Sequence, residues 1–173
     1  MPVLRSSMTK TVIALVAAAA ATCSDPASPR PPCANPQGGS FTGNASGAES
    51  GALAGCSSYA ITSTGGNPGM GLVLSAGSPT SPSPVVNLGR AGNRPAVGSY
   101  SIGTGAGDFI GSVFVNPGGT FTLTTGNVTV DVSTAGTLGG SLNVSGVQSG
   151  TNNAITITGA FTAVCSAGGS VTC

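Results

Sequence analysis

From about Ser40 to Cys165 the chain alternates between apolar side chains and Ser, Thr, Asn or Gly. This alternation constrains the fold more than any other feature, because only an extended strand sends successive side chains to opposite faces. "SSYAITST" places Tyr59 and Ile61 on one face, "MGLVLSA" places Met70, Leu72 and Leu74 together, and "VGSYSIG" aligns Tyr100 with Ile102. "GTFTLTTGNVTVDVST" alternates Phe121 and Leu123, then Val128, Val130 and Val132. "GTLGGSLNVSG" aligns Leu138, Leu142 and Val144, and "NAITITGAFTAVC" aligns Ile155, Ile157, Phe161 and Cys165. "SPVVNLG" reads as a further strand after the Pro-rich loop "GSPTSPSP", and "DFIGSVFV", apolar on both faces, as a central one. Turn signals such as "GGNPG", "NPGG" and "GTNN" separate the runs. The pattern predicts an all-β domain: a single β-sandwich or partly open barrel of about 8–10 short antiparallel strands.

A different grammar precedes this region. Arg5 and Lys10 stand ahead of the apolar run "TVIALVAAAAAT", Thr11–Thr22. A spanning helix needs about 17–25 apolar residues, so this run is too short and fits the helix of a secretory signal. Met8 is an alternative start that leaves Lys10 as the basic residue. "SDPASPRPPCANPQGG", Ser24–Gly39, holds five prolines and reads as a semi-extended tether. The expected organisation is a lipoprotein signal peptide over 1–22, a lipidated cysteine and tether over 23–39, and the β domain over 40–173.

Two cysteines compete for the lipid. "LAGC", Leu53–Cys56, has the preferred letters of a bacterial lipoprotein box but follows a polar, Gly-rich stretch that could not enter a bilayer. "AATC", Ala20–Cys23, has poorer letters but directly follows the apolar run. Position relative to the membrane-inserted segment outweighs the letters, so lipidation is assigned to Cys23. Ordinary signal cleavage after Ala21 is the competing reading. With Cys23 set aside, Cys33, Cys56, Cys165 and Cys173 remain, an even set for an oxidising compartment. Two disulfides would offset the conformational entropy that the 29 glycines add to the unfolded chain. The spacing favours Cys56–Cys165 with Cys33–Cys173, on the ground that first and last strands of a sandwich are often neighbours. The local pairing, Cys33–Cys56 with Cys165–Cys173, stays open beside it.

Within Val97–Cys165, "VGSYSIG", "GNVTVDVSTAGTLGGSLNVSG" and "NAITITGAFTAVC" follow one another in an order that resembles small bacterial lipoproteins of unknown function with one all-β domain. The chain departs from their pattern at Leu142, where Phe is common, and in its extra cysteines. The resemblance implies a fold and a location at the cell envelope, and it implies no catalytic residues.

The composition narrows the chemistry. Charged residues make up 5% of the chain and histidine is absent, which removes the usual general base near neutral pH and any Ser–His or Cys–His arrangement. No imidazole and no expected free thiol are available for zinc, so no metal or cofactor is expected. After Cys23 only Arg30, Arg90 and Arg94 oppose Asp25, Glu49, Asp108 and Asp131, which argues against nucleic acid as a partner. "GTGAG", Gly103–Gly107, lacks the lysine and helix of a phosphate loop and reads as a turn. Asp131 reads as a solvated outer-face residue and Asp108 as an Asx-type turn, although a pair drawn from Glu49, Asp108 and Asp131 is the only candidate for a carboxylate-dependent hydrolase. The sequons at Asn44, Asn127 and Asn143 carry no assigned role in a bacterial chain.

Arg90 and Arg94, in "GRAGNRPAVG", are the candidates for contact with an anion or glycan, against the alternative of a solvated loop. Tyr59 and Tyr100 could offer a stacking face, against the alternative of core packing. The expectation is therefore a non-enzymatic, lipid-anchored envelope protein, a structural or binding module on the outer membrane with a polysaccharide or protein partner. A secreted adhesive or self-assembling β subunit is the alternative.

Overall fold

The computed structural model describes residues 38–78, 81–166 and 173. The signal segment, Cys23, the Pro-rich tether and Cys33 lie outside the described residues. Nine strands follow in order: β1 (Gly39–Gly47), β2 (Gly51–Thr64), β3 (Asn67–Ser78), β4 (Ser81–Ala91), β5 (Gly98–Ser101), β6 (Ile110–Val115), β7 (Gly119–Ser133), β8 (Thr137–Gln148) and β9 (Ala154–Cys165). No helix occurs among the described residues. The strands form one sheet in the order β5-β7-β6-β4-β3-β2-β1-β9-β8, and β8 also pairs with β7. That last pairing closes eight antiparallel strands into a barrel, so the barrel form of the expected all-β class is the one realised. The strands are longer than anticipated, up to 15 residues in β7.

Closure gives every strand one dry and one wet face. Phe41, Tyr59, Leu72, Leu74, Val86, Val113, Phe121, Val128, Leu138, Ile155 and Ile157 fill the interior and are essentially inaccessible. The outer wall of β1, β9, β8 and β7 carries Thr42, Asn44, Thr158, Ser141, Asn143 and Asn127, all exposed. A membrane-spanning barrel has the reverse arrangement, with the apolar band outside. Three departures from the sequence reading follow from the curvature. Val132 shares the spacing of Val128 and Val130, but a register shift between Val130 and Val132 turns it outward, and it is 45% exposed. A second shift, between Leu123 and Thr125, explains why the apolar phase changes between Leu123 and Val128. "DFIGSVFV" is not buried on both faces: Phe109, Val113 and Val115 point inward, while Ile110 and Phe114 face solvent.

β1 was not anticipated, because "GSFTGNASG" offers only Phe41 and Ala45 to the core. It sits between β2 and β9, pairing with both over most of its length. Where β1 begins, β2 and β9 meet directly and in parallel, at Ser58–Val164 and Tyr59–Cys165. Ser57, a buried polar residue at this seam, places its hydroxyl 2.9 Å from the Ser40 carbonyl and 2.8 Å from that of Thr162.

The cysteines correct one expectation. Cys165 is bonded to Cys173, with the two Cα atoms 5.8 Å apart, so neither the Cys56–Cys165 nor the Cys33–Cys173 pairing occurs. The reason is facial. Cys165 continues the inward row of Ile155, Ile157, Phe161 and Ala163, whereas Cys56 lies out of phase with the inward Leu53, Ser57 and Tyr59. Cys56 lies mid-strand between Ser40 and Ser75, and its sulfur is already in a disulfide, so "LAGC" is a strand segment and offers no thiol for acylation.

Tight curvature brings neighbouring backbones close. A Cβ on Gly55 would overlap the Ser75 carbonyl oxygen, whereas one on Gly71, which faces outward on β3, would meet nothing within 4 Å. Gly55→Ala should therefore cost about 1–3 kcal/mol through overpacking. Gly71→Ala should be neutral or stabilise by up to about 1 kcal/mol. Urea denaturation of the two variants beside the parent checks the contrast.

Candidate functional site

One end of the barrel is built from the β2–β3 turn, the segment 92–97, the loop 102–109, the β7–β8 turn and the disulfide-linked Cys173. The ring is incomplete here. β4 pairs with β6 only as far as Gly89–Ile110, so Arg90 and Ala91 run past the end of β6. β5 pairs with β7 through Gly98–Val130 to Ser101–Asn127 and has no other strand partner. The loop 102–109 lies between them.

This loop is pinned at its neck and its tip. Ile102 and Phe109 are buried and form a bridge, and the Gly103 amide donates to the Phe109 carbonyl at 3.0 Å. At the tip the Asp108 amide donates to the Gly105 carbonyl, and Asp108 Oδ2 accepts from the Gly105 amide at 2.9 Å. Gly107, at φ +88°, makes the left-handed turn that brings the chain back, a conformation that a side chain rarely adopts. Asp108 thus holds the loop shut, but by accepting from Gly105 three residues before it rather than through the forward contact of the expected Asx-type turn.

Arg90 lies opposite Met70, on the inward phase of β4, so it belongs to the strand rather than to a solvated loop. Its guanidinium carbon sits 4.8 Å from the Tyr100 ring centroid and 5.7 Å from that of Phe109. The two rings meet edge to face, at 5.9 Å and 87°, and the Tyr100 hydroxyl donates to the Ala96 carbonyl at 2.8 Å. The rings orient the cation but accept none of its hydrogen bonds. Arg90 Nε is buried with no partner, and among the described residues the guanidinium has neither a hydrogen-bond acceptor nor a carboxylate. A buried donor left unmade costs about 1–3 kcal/mol, so Arg90 Nε is an unmet polar group beneath the barrel rim. Arg90 and Asp108 line a hollow of about 650 Å³ with the loop 103–107 as one wall.

The other predicted contacts resolve differently. Arg94 is spent within the protein: Nε donates to Ser133 Oγ at 3.1 Å and Nη1 to the Cys173 main-chain oxygen at 3.1 Å, and Ser133 Oγ donates to the Pro95 carbonyl. It straps the C-terminal residue across the barrel end. Tyr59 is 1% exposed and its hydroxyl lies 2.7 Å from the Ala135 carbonyl and 3.1 Å from that of Thr134, so it packs in the core and offers no stacking face. Tyr100 and Arg90 are brought together; Tyr59 and Arg94 do not join them.

The carboxylates are dispersed. Glu49 is in the turn between β1 and β2 at the opposite end, Asp131 is exposed on β7, and Asp108 is committed to Gly105. No group of three or more His, Cys, Asp or Glu able to hold a metal occurs among the described residues. The sequon asparagines fall into one lateral row, Asn44–Thr158–Asn143–Asn127, on the outer wall. Their Asn-x-Ser/Thr spacing is what polar-out, apolar-in alternation writes.

Two parts of the site were not foreseen. The sequence shows "GTGAG" only as a turn, and Phe109 only as part of a central strand. The signal available in the sequence was the run of alternate glycines closed by Asp108. No protein-family model matches the chain, no curated protein matches it, and no solved structure matches it.

Two outcomes follow from these contacts. Tyr59→Phe should lower stability by about 1 kcal/mol, the usual net worth of one hydrogen bond, and chemical denaturation reads it directly. Peptide mapping without reduction should recover Cys165 joined to Cys173, and Cys173→Ser should cost roughly 2–3 kcal/mol.

Proposed function

We propose that the chain is an exported, lipid-anchored protein of a bacterial envelope that acts without catalysis as a binding module, with the Arg90 hollow as its ligand site. The observation that carries this reading is the Arg90 guanidinium, stacked on Tyr100 and Phe109 with its Nε buried and unpartnered. An arginine so oriented presents a planar fork of donors that suits a carboxylate or another anion. The absence of histidine from the sequence and the dispersed carboxylates support a non-catalytic role.

The anchor is part of the same proposal. Lipidation at Cys23 is supported by its place after the apolar run Thr11–Thr22, and by the bonded state of Cys56, which leaves the competing box without a thiol. Ser24 after the cysteine favours the outer membrane under the enteric sorting rule. The likeness to small bacterial lipoproteins within Val97–Cys165 points to the same location. The alternative, a self-assembling adhesive subunit, would draw on strand edges. Its support is weaker in a closed ring, where β5 is the described strand with a single partner.

Two measurements test the proposal. Mass spectrometry of the processed chain should find diacylglyceryl-Cys23 at its start, and a bare residue there overturns the anchor. Titration of the full chain with a panel of small carboxylates and acidic oligosaccharides, followed by NMR, should find at least one ligand whose binding falls tenfold or more in Arg90→Gln and is unchanged in Asp131→Asn. Equal binding by the parent and Arg90→Gln across the panel overturns the site.

A further inference from the structure

Cys56 ties the barrel to chain that precedes it. Cys165 and Cys173 are bonded to each other and Cys56 is also in a disulfide, so its partner is Cys23 or Cys33, both ahead of the described residues. Cys56 is out of phase with the inward Leu53, Ser57 and Tyr59, so this bond fastens the N-terminal segment to the outer wall of β2. The route is set at the seam. β1 begins at Gly39, and beyond it β2 and β9 pair with each other at Ser58–Val164. The chain before Gly39 therefore has no place within the wall and leaves it. Ser40 stands directly opposite Cys56. The stretch from Cys33 to Gly39 reaches about 20 Å when extended, enough to turn back to Cys56.

The wall beside Cys56 is apolar in one direction. A single lateral row runs from Cys56 to Ser75 on β3, Val85 on β4 and Phe114 on β6. Phe114 is 44% exposed, and Val73, two positions from Ser75 on the same face, is 37% exposed. In the other direction the row carries Ser40, Thr162 and Gly139, with no apolar side chain. The segment Ser24–Cys33, "SDPASPRPPC", holds four prolines. Proline fixes φ near its polyproline II value, so such a segment loses little entropy on docking, and its rings pack on aromatic and aliphatic side chains. The lengths agree. Three strand spacings, about 14 Å, separate Cys56 from Phe114, and about five residues of polyproline II cover that distance. We infer that Cys33 is the partner of Cys56 and that Pro29–Cys33 docks as a strap over Ser75, Val85 and Phe114. The choice of Cys33 over Cys23 rests on the reading of Cys23 as the lipid site, to which the strap adds an occupant for the wall. The free spacer below the lipid then shrinks to Ser24–Ser28, about 15 Å when extended.

Two measurements on the full chain test the strap. Peptide mapping without reduction should recover Cys33 joined to Cys56, and Cys23 joined to Cys56 overturns both the strap and the anchor. Hydroxyl-radical footprinting of the folded chain reads the cover over Phe114. Labelling of Phe114 should rise at least threefold in Cys33→Ser and in the triple variant Pro29→Ser, Pro31→Ser, Pro32→Ser. Labelling of Val132, which faces outward on β7, should stay unchanged in both. The triple variant keeps every cysteine and alters no residue of the barrel. Equal labelling of Phe114 in all three proteins, with Cys33 joined to Cys56, overturns the docking and leaves the anchor standing. A covered Phe114 and a Cys33–Cys56 bond in a chain without an acyl group on Cys23 overturn the anchor and leave the strap. Protection of Phe114 that survives the triple variant and grows with protein concentration gives the wall to a second copy and overturns the strap.

Discussion

The pairing of β7 with β8 is the constraint on which the rest of the molecule depends. It turns a nine-stranded ribbon into a ring, and a ring of eight strands has an interior just wide enough to be filled by side chains. Three properties follow. Every ring strand must alternate between dry and wet except where a bulge shifts its phase, as twice in β7. Large residues such as Phe41, Phe121 and Tyr59 must occupy the inside, and backbones must pass so closely at bends that Gly55 tolerates no Cβ. Almost no unpaired edge survives, which is how barrels avoid the association that open sheets invite.

The candidate site exists because the ring is not completed evenly. β6 stops at Ile110 while β4 continues through Arg90 to Ala91, and β5 takes up the edge of β7 only further along. A strand-length mismatch would ordinarily leave backbone groups and an apolar hole at the rim. Here the loop 102–109 fills the gap, Phe109 plugs the core, and Arg90 lies over the aromatic pair with its polar end unanswered. The barrel end is braced on its other side by a different device, in which Arg94 ties Ser133 to the disulfide-held Cys173. Two arginines four residues apart thus have opposite fates, one consumed by the fold and one left available.

Much of the architecture was legible because alternation is a local property of the chain. Met70–Leu74, Leu138–Val144 and Ile155–Phe161 point inward as their spacing requires. What escaped was set by partners distant in sequence. "GSFTGNASG" carries one large apolar side chain and becomes a strand because β2 and β9 offer it two edges. Val132 obeys the local period and still faces water, because β8 imposes a register shift that the sequence of β7 does not record. Cys56 and Cys165 stand on strands that touch, yet on opposite faces of the wall, so adjacency alone misled the pairing. In the site, Arg90 and Tyr100 were visible as residue types, but their meeting depends on where β6 ends, and no local pattern encodes that.

The seam between β1 and β9 has a consequence for the order of events during synthesis. Phe41 faces Phe161 across it, so the first strand obtains its second neighbour only when the last one has been made. Contacts spanning nearly the whole domain form late and slowly. A chain of this design completes its barrel only when β9 has paired with both β1 and β8.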